Sequence, residues 1–381
     1  MNRRELLRRG AIAGAAVLAA PMINRARYRL LAGSPVEYSA RAIELVQNSL
    51  VIDMLNPFTV DPASTWLSNP VSFTSKDLQT FKDSGIKVLN PGGGGGGPNA
   101  LLRNLRFMAE WNGFIAHHGR DLVRIDSATD FDRVKNSGQI GILVGVQNAD
   151  HFQTLNDIDY FFGLGMRVAQ LTYNTRNLIG NGATERRDEG LSDYGVAVVE
   201  RMNAVRMAID VSHCGDRTTL DTFEASKKPV LITHSNCRAL VPGHPRLKTD
   251  EAIKKMATTG GVMGVTALRM FVRDKEPTTI EHLLDHFDHV VKLVGVDHVG
   301  IGSDADLYGY DRLPPAVLAQ MRAGFKSSYA AREKIDIEGL NHPKRMFDLT
   351  EGLIRRKYSN PNIQLVLGLN FRRALSQIWA S

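Results

Sequence analysis

Short apolar runs of four to seven residues, rich in β-branched side chains, recur along this chain and are separated by stretches with helical spacing. The runs are Leu50–Asp53 (LVID), Ile86–Leu89 (IKVL), Ile140–Val146 (IGILVGV), Val168–Thr172 (VAQLT), Ala208–Ser212 (AIDVS), Pro229–Thr233 (PVLIT), Gly261–Thr266 (GVMGVT) and His298–Gly302 (HVGIG). They show little polar alternation, which marks strands buried on both faces, as in a parallel sheet. Helical periodicity falls between most of them, at Leu101–His117, Thr154–Gly163, Tyr194–Arg206, Asp216–Ser226, Asp250–Thr258 and Ile280–Val294. Eight strands alternating with helices over roughly 250 residues predict an α/β fold, one (β/α)8 TIM barrel spanning residues 40–381. The last stretch, Leu349–Trp379, reads as helical cover for that barrel, broken at Asn360-Pro361 and at Gly368.

A barrel of this kind carries its chemistry at the carboxyl ends of its strands. Those ends read Asp53, Asn90, Gln147, Tyr173-Asn174, His213, His234, Thr266 and Asp304, a ring of polar groups closing apolar strands. His213 and His234 end neighbouring strands, so their imidazoles are expected side by side, as a metal or acid/base pair. Two satisfied core histidines are the plainer alternative. Asp304 and Asp306, in GSDAD at the mouth of the last strand, supply a carboxylate suited to moving protons.

Composition changes this picture only at the N-terminus. Of the net charge of +7, residues 1–29 carry +6, through seven arginines against one acid, Glu5. The remainder is nearly neutral, which excludes a nucleic-acid patch. Arg3-Arg4 and Arg8-Arg9 precede an apolar run from Ala11 to Ile23 that is short for a bilayer span. The pattern predicts a twin-arginine-type export segment over residues 1–30 and a periplasmic destination for the folded protein. An amphipathic first helix is the competing reading. Two cysteines, Cys214 and Cys237, are too few for a disulfide scaffold and are expected as buried thiols. A single disulfide, or a soft metal ligand, stays open for them.

Two further motifs invite chemistry. Pro91–Pro98 encloses six consecutive glycines, which is not a dinucleotide fingerprint; it reads as an unstructured loop or as a lid over the mouth. His282, His286 and His289 share a helix face, but their interleaved aspartates and outer position argue for a structural role.

The strings VIDM, GMRVAQLTYN, LSDYGVAVVERMNAVRMAIDVSH, PVLITHSNCRAL, HPRLKTDEAI, GGVMGV, HVGIGSDAD, LTEGLIRR and GLNFRRAL occur in order from residue 45 onward. Together they resemble the membrane (renal) dipeptidase family of zinc metallopeptidases. The resemblance implies a barrel of the metal-dependent hydrolase type, two zinc ions, and hydrolysis of dipeptides and related amides. By position it makes His213 and His234 ligands of one zinc and Asp304 the proton-handling aspartate. It makes Arg246, in HPRLKTD, the grip on the substrate carboxylate, a task its planar fork suits. On that footing Arg246 is expected to matter for binding and little for stability.

The chain also departs from the family. Leu55 and Pro57 stand where the resemblance implies a His-x-Asp ligand pair, and Gln147 stands where it implies the glutamate bridging both zincs. Tyr173 replaces a substrate-side histidine. A carboxamide is a poor bridge for two cations about 3.5–4 Å apart. The expected cofactor is therefore at most one Zn2+, or none, on His213 and His234. Gln147 and Asp304 are candidate further ligands, and Asp306 and Asp53 are alternatives. The catalytic set is Asp304, His213, His234 and Tyr173, with Arg246, Tyr173 and Asn174 binding substrate. The leading expectation is a dipeptidase-like metallohydrolase acting on a small-molecule substrate with a carboxylate. A metal-independent lyase or isomerase, and a non-catalytic binding protein, remain open beside it. No nucleic acid and no membrane beyond the export segment is expected as a partner, and a homodimer is the one assembly kept open.

Overall fold

The computed structural model describes residues 27–31, 34, 36–59, 65–323 and 325–380. The expected export segment lies outside the described residues as far as position 26. Strands β1 (Arg27–Tyr28) and β2 (Tyr38–Ser39) form a short antiparallel ribbon. Ten parallel strands follow: β3 (Ile52–Asp53), β4 (Val88–Leu89), β5 (Leu122–Arg124), β6 (Ile140–Ile142), β7 (Gly145–Val146), β8 (Val168–Gln170), β9 (Ala208–Asp210), β10 (Val230–Ser235), β11 (Met263–Val265) and β12 (Val299–Ile301). Their order is β5-β6-β4-β3-β12-β11-β10-β9-β8-β7.

β6 and β7 are two halves of one stretch. The first half bonds β4, the second bonds β8, and the sheet closes on itself through it. The eight apolar runs thus form the ring expected of a (β/α)8 barrel, with β5 added outside it against β6. Gly145 permits the closure, because a Cβ there would stand 2.7 Å from Asn90 Oδ1.

The base of the ring is plugged by the last helix, Asn370–Trp379. Phe371, Ala374, Leu375 and Ile378 pack on Ile52, Val88, Val168, Ala208, Leu231 and Val262, which lie at or near the starts of the strands. Each fully buried side chain of this size stabilises the fold by ~1.5–3 kcal/mol. Gly368 lets the chain reach the base, since a Cβ there would meet Leu50 O at 2.0 Å. With the base closed, the carboxyl ends of the strands form the mouth of the ring.

That mouth is latched from first strand to last. Asp53 accepts hydrogen bonds from Ser303 N (2.8 Å), Ser303 Oγ (2.6 Å) and Asn56 Nδ2 (3.1 Å). Burial raises its pKa while Arg345 and these donors pull it down. The six expected helices occur within a residue or two of their expected bounds. Helices Ser75–Ser84 and Ala128–Ser137, each with a capping box, were not expected and complete further βα units.

Candidate active site

His213 follows β9 and His234 lies within β10, both buried, with their Nε2 atoms 2.9 Å apart. The two Nδ1 atoms have oxygen partners: Asn174 Oδ1 at 2.8 Å for His213 and Thr233 Oγ1 at 2.8 Å for His234. Thr233 Oγ1 donates to Asp210 Oδ2 (2.6 Å), so it meets His234 as an acceptor. Asp210 Oδ1 is held by Ser212 N (2.9 Å), Ser212 Oγ (2.6 Å) and Thr233 N (2.9 Å). With both Nδ1–H groups donating outward, both Nε2 lone pairs face each other. Burial first, then the nearby Arg246, pushes both histidines well below their ordinary pKa, which disfavours a charged imidazolium at either position.

Arg246 sits fully buried behind this pair. Its Nη2 donates to His234 O (2.7 Å), and its Nη1 donates to Ser212 O and to Ser235 Oγ (3.2 Å). Its Nε–H is buried without a partner. Lys248, from the same loop, donates to Cys214 O (2.9 Å) and Thr219 Oγ1 (2.9 Å), and burial brings its pKa down to about 8. The loop therefore clamps the backbone on either side of His213. This corrects the expectation that Arg246 bears little on stability: it carries structure with its Nη groups and keeps one donor free.

Tyr173 stacks on His213, ring centroids 4.2 Å apart, and reaches the surface on its other side. Its phenol lies near Tyr329, Asp304 and Arg246; burial first, then the first two, raises its pKa. Asn174 and Asp304 both adopt left-handed backbone, with φ of 60° and 55°, a conformation that Asn and Asp tolerate better than most residues. Burial raises the Asp304 carboxyl to about 7, with Asp53 adding to the rise and Arg246 opposing it. One guanidinium thus lies within electrostatic reach of His213, His234, Asp304, Tyr173 and Tyr329.

Tyr329 was missed at sequence level. Its hydroxyl lies 3.5 Å from His213 Nδ1 and 3.3 Å from Asn174 Nδ2, yet it comes from a distant loop with no motif around it. Asp210 and Thr233 were also missed, although they stand three and one positions before the histidines they support.

Gln147 turns its Nε2 to Gly92 O (3.1 Å), in the wall that it shares with Tyr173. Leu55 packs against the same glycine: a Cβ on Gly92 would stand 1.9 Å from Leu55 Cδ1. The glycine run is neither an unstructured loop nor a detached lid. Gly93 forms a parallel bridge with Val146, Gly97 N donates to Asp150 Oδ2 (2.7 Å), and Asn104 Nδ2 donates to Gly95 O (2.9 Å). Cys214 and Cys237 are free and buried. Of the helical histidines, His286 bonds Val272 O (3.0 Å) in the core, His289 pairs with Asp250 (2.8 Å), and His282 caps its own helix at Thr279.

Among the described residues, no three His, Cys, Asp or Glu side chains converge as a metal-binding group. Asp304 is not joined to the histidines in one ligating group, Asp53 is spent on Ser303 and Asn56, and Asp306 accepts from Tyr308 N (2.9 Å). Leu55 and Pro57 offer a cation no side-chain donor, and Gln147 offers only a neutral amide oxygen. One ion fits the imidazole pair as two of its donors. A tetrahedral zinc with Zn–N of about 2.0–2.1 Å separates two nitrogens by about 3.3 Å, a few tenths beyond the present gap. Outward-donating Nδ1–H groups are the usual support for such ligands.

Compared with known proteins, the chain matches the family model of membrane dipeptidase (peptidase family M19) over residues 76–315. It is similar to an uncharacterized dipeptidase of Schizosaccharomyces pombe, 33% identical over 200 residues, 50% of this chain and 48% of that one. The chain spans about half the length of the first curated relatives it matches. Among solved structures, an amidohydrolase from Pseudomonas aeruginosa is 28% identical with TM-score 0.75, covering 89% of this chain and 99% of that one. A metallo peptidase from Rhodobacter sphaeroides, solved with a phosphinate mimic of the dipeptide L-Ala-D-Ala, has TM-score 0.71. At 19% identity, over 87% of this chain and 100% of that one, it shows the shared fold alone.

Proposed function

Because the chain belongs to the membrane dipeptidase family, peptidase family M19, we propose that it is a dipeptidase-like hydrolase that cleaves the amide bond of a small carboxylate-bearing substrate with at most one divalent ion. The observation that carries this reading is the imidazole pair. Both Nδ1–H groups are tied to oxygens and both Nε2 lone pairs converge at 2.9 Å. Two neutral imidazoles held lone pair to lone pair repel each other unless a cation separates them. Bound there, an ion would supply Lewis acidity and lower the pKa of a coordinated water from 15.7 toward about 7.

The chain's own groups do the rest. The unpartnered Nε–H of Arg246 offers a buried donor to the substrate carboxylate. Hydrolysis adds water across the amide C–N bond: the oxygen goes to the carbonyl carbon, and one proton passes to the leaving nitrogen to give the amine. The carboxylic acid formed gives up the other, which the amine takes as it becomes an ammonium at neutral pH. Asp304, held at about 7, is poised to take and return the first of these protons at neutral pH. Tyr173 and Tyr329 shield His213 from bulk water on two sides. The arginine-rich opening of the chain supports export to the periplasm as part of the same proposal.

The test is turnover of small peptides and N-acyl amino acids by protein with measured metal content. Activity abolished by chelator and by His213→Ala, and restored to the chelated wild type by zinc, supports the proposal. A second reading, a metal-independent lyase or isomerase, draws on the small number of ionisable ligands and the Tyr173–His213 stack. Activity indifferent to chelator but lost in His213→Ala or Tyr173→Phe would replace the first reading with the second.

A further inference from the structure

A free dipeptide brings a carboxylate at one end and an ammonium at the other. On the function proposed above, Arg246 meets the first. On the far side of Tyr173 lies a cavity of about 310 Å³ lined by Gly92–Gly96, Gln147, Asn148 and Tyr173, none of them anionic. Gln147 spends its Nε2 on Gly92 O (3.1 Å), which leaves Oε1 as an acceptor. Asn148 spends its Oδ1 on Asp150 N (3.1 Å) and Asn177 Nδ2 (3.3 Å), which leaves its amide N–H groups as donors. Leu55 backs Gly92 with an apolar surface. The nearby carboxylates are Asp150, whose Oδ2 is turned to Gly97 N at 2.7 Å, and Asp304 beyond the tyrosine.

An ammonium placed in this cavity would give up part of its water to a lining that carries no anion, and the Asp150 carboxylate beside Gly96 is already engaged by Gly97 N. An acylated nitrogen has no charge to desolvate, and its N–H and C=O match one acceptor, Gln147 Oε1, and one donor, Asn148 Nδ2. We propose that this cavity is the subsite for an uncharged, N-acylated end of the substrate, so that the chain prefers N-acyl amino acids or N-capped dipeptides to free dipeptides. The hydrolysis of such a substrate rests on the function proposed above; the binding preference does not.

The experiment is calorimetry of the full chain at pH 7.5 with Ala-Ala and with N-acetyl-Ala-Ala, alongside product analysis. The acetylated probe should bind at least about ten-fold more tightly, a gap of ~1.4 kcal/mol. Gln147→Glu, which sets a carboxylate on the cavity, should narrow or reverse that ratio; if it does not fold, Asn148→Asp serves the same purpose. Equal or tighter binding of Ala-Ala, binding of neither probe, or a ratio unmoved in the folded variant would overturn the proposal. Acetyl preference without product would remove the hydrolase reading and leave the subsite standing. Cleavage of Ala-Ala without acetyl preference would do the reverse.

Discussion

Replacing Arg246 by alanine should damage stability and binding together, by amounts that can be worked from its contacts. The side chain is fully buried, and its Nη groups hold Ser212 O, His234 O and Ser235 Oγ. Truncation leaves two buried carbonyls without these donors. Each unsatisfied group costs ~1–3 kcal/mol, a loss of about 2–6 kcal/mol. Against this, no carboxylate forms an ion pair with the guanidinium among the described residues, so its removal returns part of the desolvation penalty of a buried charge. The net expectation is a destabilisation of about 2–4 kcal/mol, read from urea unfolding followed by circular dichroism. Binding should suffer separately, because the lone Nε–H is the donor left for a substrate carboxylate. A loss of about 2–4 kcal/mol corresponds to roughly 30- to 900-fold in Kd, measured at a temperature where both proteins are folded. Arg246→Lys keeps the charge but lacks the fork, and should recover little of either property. Stability within about 0.5 kcal/mol of wild type, the scale of a neutral surface change, would refute the clamp. Unchanged affinity for the carboxylate ligand would remove Arg246 from the binding site.

Metal analysis of dialysed protein should find no more than one divalent ion per chain, lost in His213→Ala and in His234→Ala; two ions per chain would refute the reading of Leu55, Pro57 and Gln147. Asp304, raised to about 7, acts as a base only when ionised, so kcat/KM should rise with pH through that value and level off above it. Asp304→Asn should abolish that limb. The same raised pKa means the folded chain keeps a proton that the unfolded chain releases from about pH 4 upward. Stability should therefore fall as pH climbs from about 4 to 7, and the fall should be shallower in Asp304→Asn. Cys214 and Cys237 are free and buried, so a thiol reagent should find neither in folded protein and both after denaturation, with Tm unmoved by reductant.

How far the site could be read in advance differs from residue to residue. His213, His234 and Asp304 were legible because each closes an apolar run, and parallel strands deliver such ends to one edge whatever lies between. Tyr329 was not, because it reaches His213 from a loop whose path depends on packing against Phe325, His244 and Phe271. The glycine run was visible as a motif and misleading as to state. Six glycines leave the backbone many conformations; its bridge to Val146 and its bonds from Gln147 and Asn104 show which one the fold holds.

What the chain alone determined is periodic: eight apolar runs at strand length, the helices between them, and the polar residues that end them. These follow from local rules, since a residue's face is set by its position in its own element. The closure of the ring through one split strand, the pairing of two imidazoles lone pair to lone pair, and the double duty of Arg246 belong to tertiary structure. Each depends on groups distant in sequence being held a few ångströms apart, and on which of their hydrogen-bonding atoms other residues have already claimed. Whether an arginine's N–H groups face a ligand or a backbone carbonyl is a property of the packed neighbourhood, and no spacing along the chain encodes it.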